Sequence, residues 1–198
     1  MTTPPTATVL HDLAAVDRAV YAAIAATDTP ALDVGLRRLS AAADHSKINL
    51  SIAAALLLAP GRYRRAGLAG AAAVGLASFT ANLLGKELVR RPRPDRDAAR
   101  VIAGRHVPMP VSASFPSGHT ASAFALATAV GTLLPATATP LSLLACAVGY
   151  SRVHTGVHYP GDVVAGALLG SACATTVLAT GRKLLLRRSH LAARCHGS

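Results

Sequence analysis

Apolar positions in this chain fall into blocks separated by short polar breaks. The longest blocks are residues 66–85, "AGLAGAAAVGLASFTANLLG", and 163–181, "VVAGALLGSACATTVLATG". Each approaches the ~20 residues that an α-helix needs to cross a bilayer. Three shorter blocks have the same character: 48–59, "INLSIAAALLLA", closed by Pro60-Gly61; 118–134, after "PSG"; and 141–150. The 48–59 block is short for a span and is predicted to extend back into "LSAAADHSK"; the 141–150 block is predicted to start nearer Ala136. Five spanning helices are expected.

Ahead of these blocks, residues 12–27 place Leu13, Val16, Val20, Tyr21 and Ile24 at helical spacing, with Asp17 and Arg18 on the other face. That pattern predicts an amphipathic helix lying on the membrane surface. "TDTP" ends it, and a second helix is predicted from about Pro30, with Leu32, Leu36 and Leu39 on one face. The start, "MTTPPTATVLHDL", has no basic region followed by an apolar run, so no cleaved signal peptide is expected and the first residues are expected to be disordered. The chain therefore divides into 1–45, a disordered start with interfacial helices; 46–188, a membrane-embedded domain; and 189–198, a basic tail.

Composition sharpens this picture. In 198 residues, 52% are apolar and none is Trp, and much of the helical sequence is Ala and Gly, which suits close helix packing in a bilayer. The mean hydropathy is +0.41. The expected fold class is an all-α integral membrane helical bundle of about five spans plus the N-terminal amphipathic helix. The formal net charge is +11. Its basic residues lie between apolar blocks, so membrane topology and anionic ligands account for them better than nucleic acid does, and no nucleic-acid partner is expected. Cys146 and Cys173 lie in apolar blocks and read as buried thiols. Cys195 lies near His190 and His196 at a spacing that matches no zinc pattern.

Lys and Arg in short loops set orientation. "GRYRR" follows the first span and "GRKLLLRRSHLAAR" follows the last, with an even number of crossings between them, so both are predicted on the cytoplasmic face. Residues 86–117 and 151–161 then share the opposite, extracytoplasmic face, and they hold three polar motifs. The first is Lys86, Arg93 and Pro94 in "KELVRRPRP". The second is "PSGH", Pro116 to His119. The third is Ser151, Arg152, His158 and Asp162 in "SRVHTGVHYPGD".

In this order and spacing the eleven residues resemble the signature of the type 2 phosphatidic acid phosphatase superfamily, lipid phosphatases whose soluble relatives include vanadium haloperoxidases. The resemblance covers about residues 50–180 and extends, with "DHSK", to small actinobacterial members. It implies that His158 attacks phosphorus to form a phosphohistidine, and that His119 protonates the leaving group and then activates water. The residue types suit that chemistry. Hydrolysis of a phosphate ester needs positive charge on the equatorial oxygens, an in-line nucleophile and an acid. Lys86, Arg93 and Arg152 supply charge. Ser117 and Gly118 open a helix, where free N–H groups and the dipole favour an anion. Asp162, four residues after His158, fits a carboxylate that fixes the tautomer of the nucleophile. With three cationic side chains present, no metal and no cofactor are expected.

Taken singly, these residues have plainer readings. His119 caps a helix, His158–Asp162 is a helical pair, and Arg93 and Arg152 anchor at headgroups. Their convergence on one face near the membrane favours catalysis. Arg90 and Arg91 are read as headgroup contacts and His154 as structural. Asp44, His45 and Lys47 are read as a polar cluster without an assigned function. The loop 95–115 serves either as a lid or lipid-access wall or as a simple connector.

The expectation is a membrane lipid phosphatase, its partners the bilayer and a lipid phosphate. Candidate substrates are phospholipid phosphates and prenyl-linked phosphates. The alternatives are a prenyl-diphosphate recycling or prenyl-phosphoryl-pentose phosphatase of cell-wall assembly, and a non-catalytic lipid-phosphate binder or transporter. The sequence leaves the oligomeric state unspecified.

Overall fold

Backbone residues 5–195 are described by a computed structural model, with side chains described for Val9, 11–83 and 87–187. The expected disordered start, residues 1–4, lies outside the described residues. The described chain is helical, with no strand among its residues. The helices are α1 (Pro5–Ala26), α2 (Pro30–Ala42), α3 (Lys47–Leu58), α4 (Arg62–Phe79), the single turn α5 (Lys86–Leu88), α6 (Gly118–Leu133), α7 (Ala138–His154) and α8 (Pro160–Cys195). A π-helical stretch, Thr80–Gly85, joins α4 to α5.

Local sequence explains the boundaries. Pro30 opens α2, where its fixed φ and missing N–H cost nothing. Gly61, at φ +68°, turns the chain between α3 and α4. Ser117 caps α6 by accepting the Thr120 N–H on its side-chain oxygen.

Helix α6 is the axis of the bundle and packs against α4, α7 and α8. One face of α6 is made of small residues: Ala121, Ala125 and Ala129 meet Ala73 and Ala77 of α4, Ala81 of the π-helical stretch, and Cys173 and Ala174 of α8. Without bulky side chains between them, the backbones come close enough to gain dispersion along their length. The closest approach is at Gly166 and Gly170 of α8. A Cβ there would lie 2.5 Å from the Ser117 carbonyl oxygen and 2.1 Å from that of Ala121. This pair of glycines presses the start of α8 onto the start of α6.

All five apolar blocks are helical. Two helical stretches, Arg62–Leu83 and Pro160–Arg187, are long and apolar enough to cross a bilayer by length and composition. Helix α3 does not extend back into "LSAAADHSK". His45 and Ser46 adopt left-handed φ values of 55° and 57°, which end one helix and restart another. Its 12 residues measure about 18 Å. Helix α8 continues unbroken past residue 188 to Cys195.

The N-terminal helices are oriented partly against expectation. On α1, Val9, Leu13, Val16 and Val20 form an exposed stripe, while Tyr21 and Ala25 are buried against Val101 and Val153. Asp17 does not face away from the protein; charged and N–H partners draw it inward. On α2, Leu32 is exposed and Ser40 is fully buried. The inner face of α2 is anchored by polar contacts, because Asp33 binds both buried Arg105 (2.9 Å) and His154 (2.9 Å). His154 is thereby structural.

Candidate active site

A cavity of about 340 Å³ opens where the first turn of α6 meets the α7–α8 junction. Arg93, Gly118, His119 and His158 line it, with Asp44, Ser46, Ser78, Asn82, Ser122, Pro108, Met109, Pro110 and Ser112. A groove of about 750 Å³ adjoins it, sharing Arg93 and Met109 and adding Arg90, Arg91 and Val111. Cations and exposed apolar side chains thus lie side by side at the mouth.

His158 sits in the connection between α7 and α8, 2% exposed. Its backbone N–H donates to the Arg152 carbonyl at 3.2 Å, which ties the loop to the end of α7. The Arg93 Nη1 atom lies 3.3 Å from His158 Nε2. A guanidinium can only donate, so Nε2 is the acceptor and the ring proton belongs on Nδ1. On that side lies Asp162 Oδ2, 3.5 Å from Nδ1, close enough for charge interaction but without hydrogen-bond geometry. Burial, reinforced by Arg93 and Arg152 and opposed by Asp162, pulls the His158 pKa from 6.5 down to about 4. The ring is neutral at neutral pH, with its Nε2 lone pair toward the cavity side occupied by Arg93.

Asp162 is fully buried in the first turn of α8. The Tyr159 N–H donates to its Oδ2 at 2.9 Å and Arg91 Nη1 to its Oδ1 at 2.9 Å. Arg91 therefore is not a headgroup contact. Its planar fork joins Asp162 to Asp17 of α1, whose Oδ2 accepts from Nη2 at 2.6 Å, and its face stacks on the Tyr159 ring at 4.1 Å. Those two carboxylates outweigh burial and hold the guanidinium pKa above its ordinary value. Arg90 does remain at the surface, 80% exposed and paired with Glu87.

Arg93 is fixed by three backbone carbonyls: Ser112 (2.8 Å), Val157 (2.7 Å) and Ala113 (3.3 Å). The 95–115 loop is thus pinned at its end as one wall of the cavity. Burial lowers the Arg93 pKa from its ordinary value, opposed by Asp162, yet so basic a group stays charged. Arg152 is buried on α7, and its Nη1 donates to the Ser40 hydroxyl oxygen (2.7 Å) and carbonyl (3.1 Å). Its Nε is buried without a partner among the described residues.

His119 stands in the first turn of α6, with Nε2 2.8 Å from Asp44 Oδ1. The same oxygen lies 3.6 Å from Arg152 Nη1. The kink at His45–Ser46 is what turns Asp44 into the site. Gly118 lines the cavity, and its N–H and that of His119 have no acceptor within the helix. Ser117 is placed differently from expectation. Its N–H donates to the Asp162 carbonyl at 2.9 Å and its Oγ receives the Thr120 hydroxyl at 2.9 Å, so its groups hold α6 to α8. The Lys86 side chain lies outside the described residues.

The structure therefore brings Arg93, Gly118, His119 and His158 to one cavity lining, with Arg152 and Asp162 buried behind it. Sequence reasoning missed Asp17, Ser40, Asp44 and Arg91. Asp44 was visible as part of a polar cluster and Arg91 as a residue inside the first motif, but neither had an assigned role in the site. Ser40 and Asp17 carried no signal, since their partners lie 112 and 74 residues away.

The family model of the PAP2 superfamily matches residues 66–185. A decaprenylphosphoryl-5-phosphoribose phosphatase of Mycobacterium tuberculosis is 37% identical over 161 residues, covering 79% of this chain and 85% of that protein. Among solved structures, Aquifex aeolicus LpxE superposes with a TM-score of 0.66 at 26% identity, over 82% of this chain and 94% of its own. The PAP2-type phosphatidylglycerolphosphate phosphatase of Bacillus subtilis gives 0.67 at 26% identity, over 87% of both chains.

Proposed function

Because the chain belongs to the PAP2 superfamily of phosphoric ester hydrolases, we propose that it is a multi-pass membrane phosphatase that removes phosphate from a lipid carrier through a phosphohistidine. The observation that carries this reading is the meeting of His158, buried, neutral and backed by Asp162, with Arg93 at 3.3 Å and His119 across the same cavity.

The phosphate oxygens bind Arg93, Arg152 and the N–H groups of Gly118 and His119. As Arg93 Nη1 exchanges His158 Nε2 for a phosphate oxygen, the freed Nε2 lone pair attacks phosphorus in line, forming the N–P bond as the bond to the leaving oxygen breaks. The Nδ1–H turns toward the Asp162 carboxylate, which stabilises the positive ring. His119 gives its proton to the leaving oxygen through the ring nitrogen that Asp44 does not hold. A water then enters, His119 takes its proton, the N–P bond breaks, and inorganic phosphate leaves with His158 regenerated.

The leaving-group side of the cavity carries Asp44, Ser46, Ser78, Asn82 and Ser122. Hydroxyl and carboxylate acceptors suit a hydroxylated carrier. A carboxylate at that position repels the second phosphate of a diphosphate, which favours a monoester. A prenyl-linked sugar phosphate, the class named for the mycobacterial relative, meets both conditions. Helices α4, α6, α7 and α8 cross the bilayer, the shorter α3 enters it beside α4, α1 lies along its surface, and the cavity opens to the extracytoplasmic side.

Phosphate release by purified protein from a panel of lipid monophosphates and diphosphates, with and without divalent metal, tests the reading. Monoester turnover is expected, and its retention in His158→Ala refutes the mechanism. For orientation, Arg100→Cys in a background without native cysteines is expected to react with an impermeant reagent in whole cells. Protection there places the site inside.

A further inference from the structure

Residues 1–65 lie outside the region that the family model matches, 66–185, yet one of them reaches the carboxylate behind the nucleophile. Asp17 of α1 makes two contacts. Its Oδ1 accepts the Gly161 N–H at 2.6 Å, at the open start of α8, and its Oδ2 accepts Arg91 Nη2 at 2.6 Å. Arg91 Nη1 then binds Asp162 Oδ1 at 2.9 Å, while Asp162 Oδ2 faces His158 Nδ1 at 3.5 Å. The Arg91 plane is held against Tyr159, which packs edge-on to Tyr21 of α1 with ring centroids 5.3 Å apart.

The arrangement has a physical logic. Asp162 is 0% exposed, and a buried carboxylate without a cation either rises in energy or takes up a proton. Arg91 supplies the cation. A guanidinium on a flexible stem is a poor orienting group unless its other edge is fixed. Asp17 fixes that edge and at the same time caps the helix that carries Asp162. Nothing in this chain of contacts reaches the cavity centre, so it acts through Asp162 and not on the substrate.

We propose that Asp17 and Arg91 form a positioning relay, Asp17–Arg91–Asp162, by which the N-terminal helix keeps the Asp162 carboxylate ionised and aimed at His158 Nδ1. The inference rests on the phosphatase reading given above. The relay stabilises the positive ring that forms as His158 attacks, so its loss lowers kcat and leaves ground-state phosphate binding in place.

Three variants test it in the full-length protein: Asp17→Asn, Arg91→Gln and the double variant. Asp17→Asn keeps an oxygen for the Gly161 N–H and drops the charge. A fall in kcat of about tenfold is expected, with inhibition by inorganic phosphate unchanged. Arg91→Gln is expected to lose more, and the double variant no more than Arg91→Gln alone, because the relay is already cut. Single losses that multiply in the double variant overturn the relay, as does wild-type kcat in Asp17→Asn. Thermal unfolding in detergent reports folding separately. If Asp17→Asn does not accumulate, Asp17→Ser makes the same comparison, and wild-type kcat in that variant overturns the proposal. His158→Ala is run beside them. Its retained turnover refutes the phosphatase mechanism and the relay together. An inactive His158→Ala with multiplying losses at Asp17 and Arg91 refutes the relay alone.

Discussion

Replacing Asp44 by Asn separates two effects that the geometry couples. Asp44 Oδ1 lies 2.8 Å from His119 Nε2 and 3.6 Å from Arg152 Nη1. Two unit charges ~4 Å apart attract by about 4 kcal/mol at an effective dielectric constant of ~20. The Asp44 side chain is 37% exposed, and water screens much of that attraction. A net stabilisation of the protonated His119 ring of about 1.5 kcal/mol remains. That converts to about a tenfold loss of kcat in Asp44→Asn. The second effect has the opposite sign. The carboxylate competes with phosphate for Arg152, so its neutralisation tightens inhibition by inorganic phosphate by about threefold. It also narrows the preference for a monoester over a diphosphate carrier. Steady-state hydrolysis of a lipid phosphomonoester in detergent, with phosphate as product inhibitor, reads both. Unchanged kcat, or weaker inhibition by phosphate, refutes the assignment of Asp44 as the partner of the acid.

Gly170→Ala sets a Cβ 2.1 Å from the Ala121 carbonyl oxygen and is expected to cost about 1–3 kcal/mol, seen as a lower unfolding temperature. Gly75→Ala, where the same Cβ meets nothing within 4 Å, serves as its clash-free control and is expected to gain about 0.5–1 kcal/mol. Arg93→Lys cannot reproduce the fork that holds the Ser112, Val157 and Ala113 carbonyls, and kcat/KM is expected to fall about a hundredfold. The buried, neutral His158 gives a pH dependence of stability. Its folded pKa of about 4 lies below the unfolded value of 6.5, so between those values the unfolded chain binds more protons. Stability from this group is whole above about pH 6.5 and is lost toward pH 4, by about 3 kcal/mol in all. Thermal unfolding of wild type and His158→Gln across that range measures it, and identical slopes refute it.

The helices were legible because apolar blocks of Ala, Leu and Val, stopped by Pro and Gly, report their own burial and length. The break before α3 was not. Nothing in "DHS" demands left-handed backbone at His45 and Ser46, the kink that brings Asp44 to His119 and Arg152. The amphipathic pattern of α1 was visible, but not that Asp17 turns inward, since its direction depends on Arg91 and Gly161 being there to meet it. Arg91 and Arg93 stand two residues apart and looked alike. Opposite surroundings separate them, one between two carboxylates and the other among carbonyls beside His158.

By itself, the sequence determined the helical class, the three motifs and the chemical types that a phosphate site needs. Those depend on local periodicity and on residues whose charge and hydrogen-bonding capacity travel with them. Tertiary structure decided which groups meet. It turned Ser117 from an anion contact into a brace between α6 and α8, placed Asp44 against His119, and ran a charge chain from α1 to Asp162. Such pairings are settled by where helices cross, and crossing is governed by small-residue contacts such as Gly166 and Gly170 that no periodicity announces.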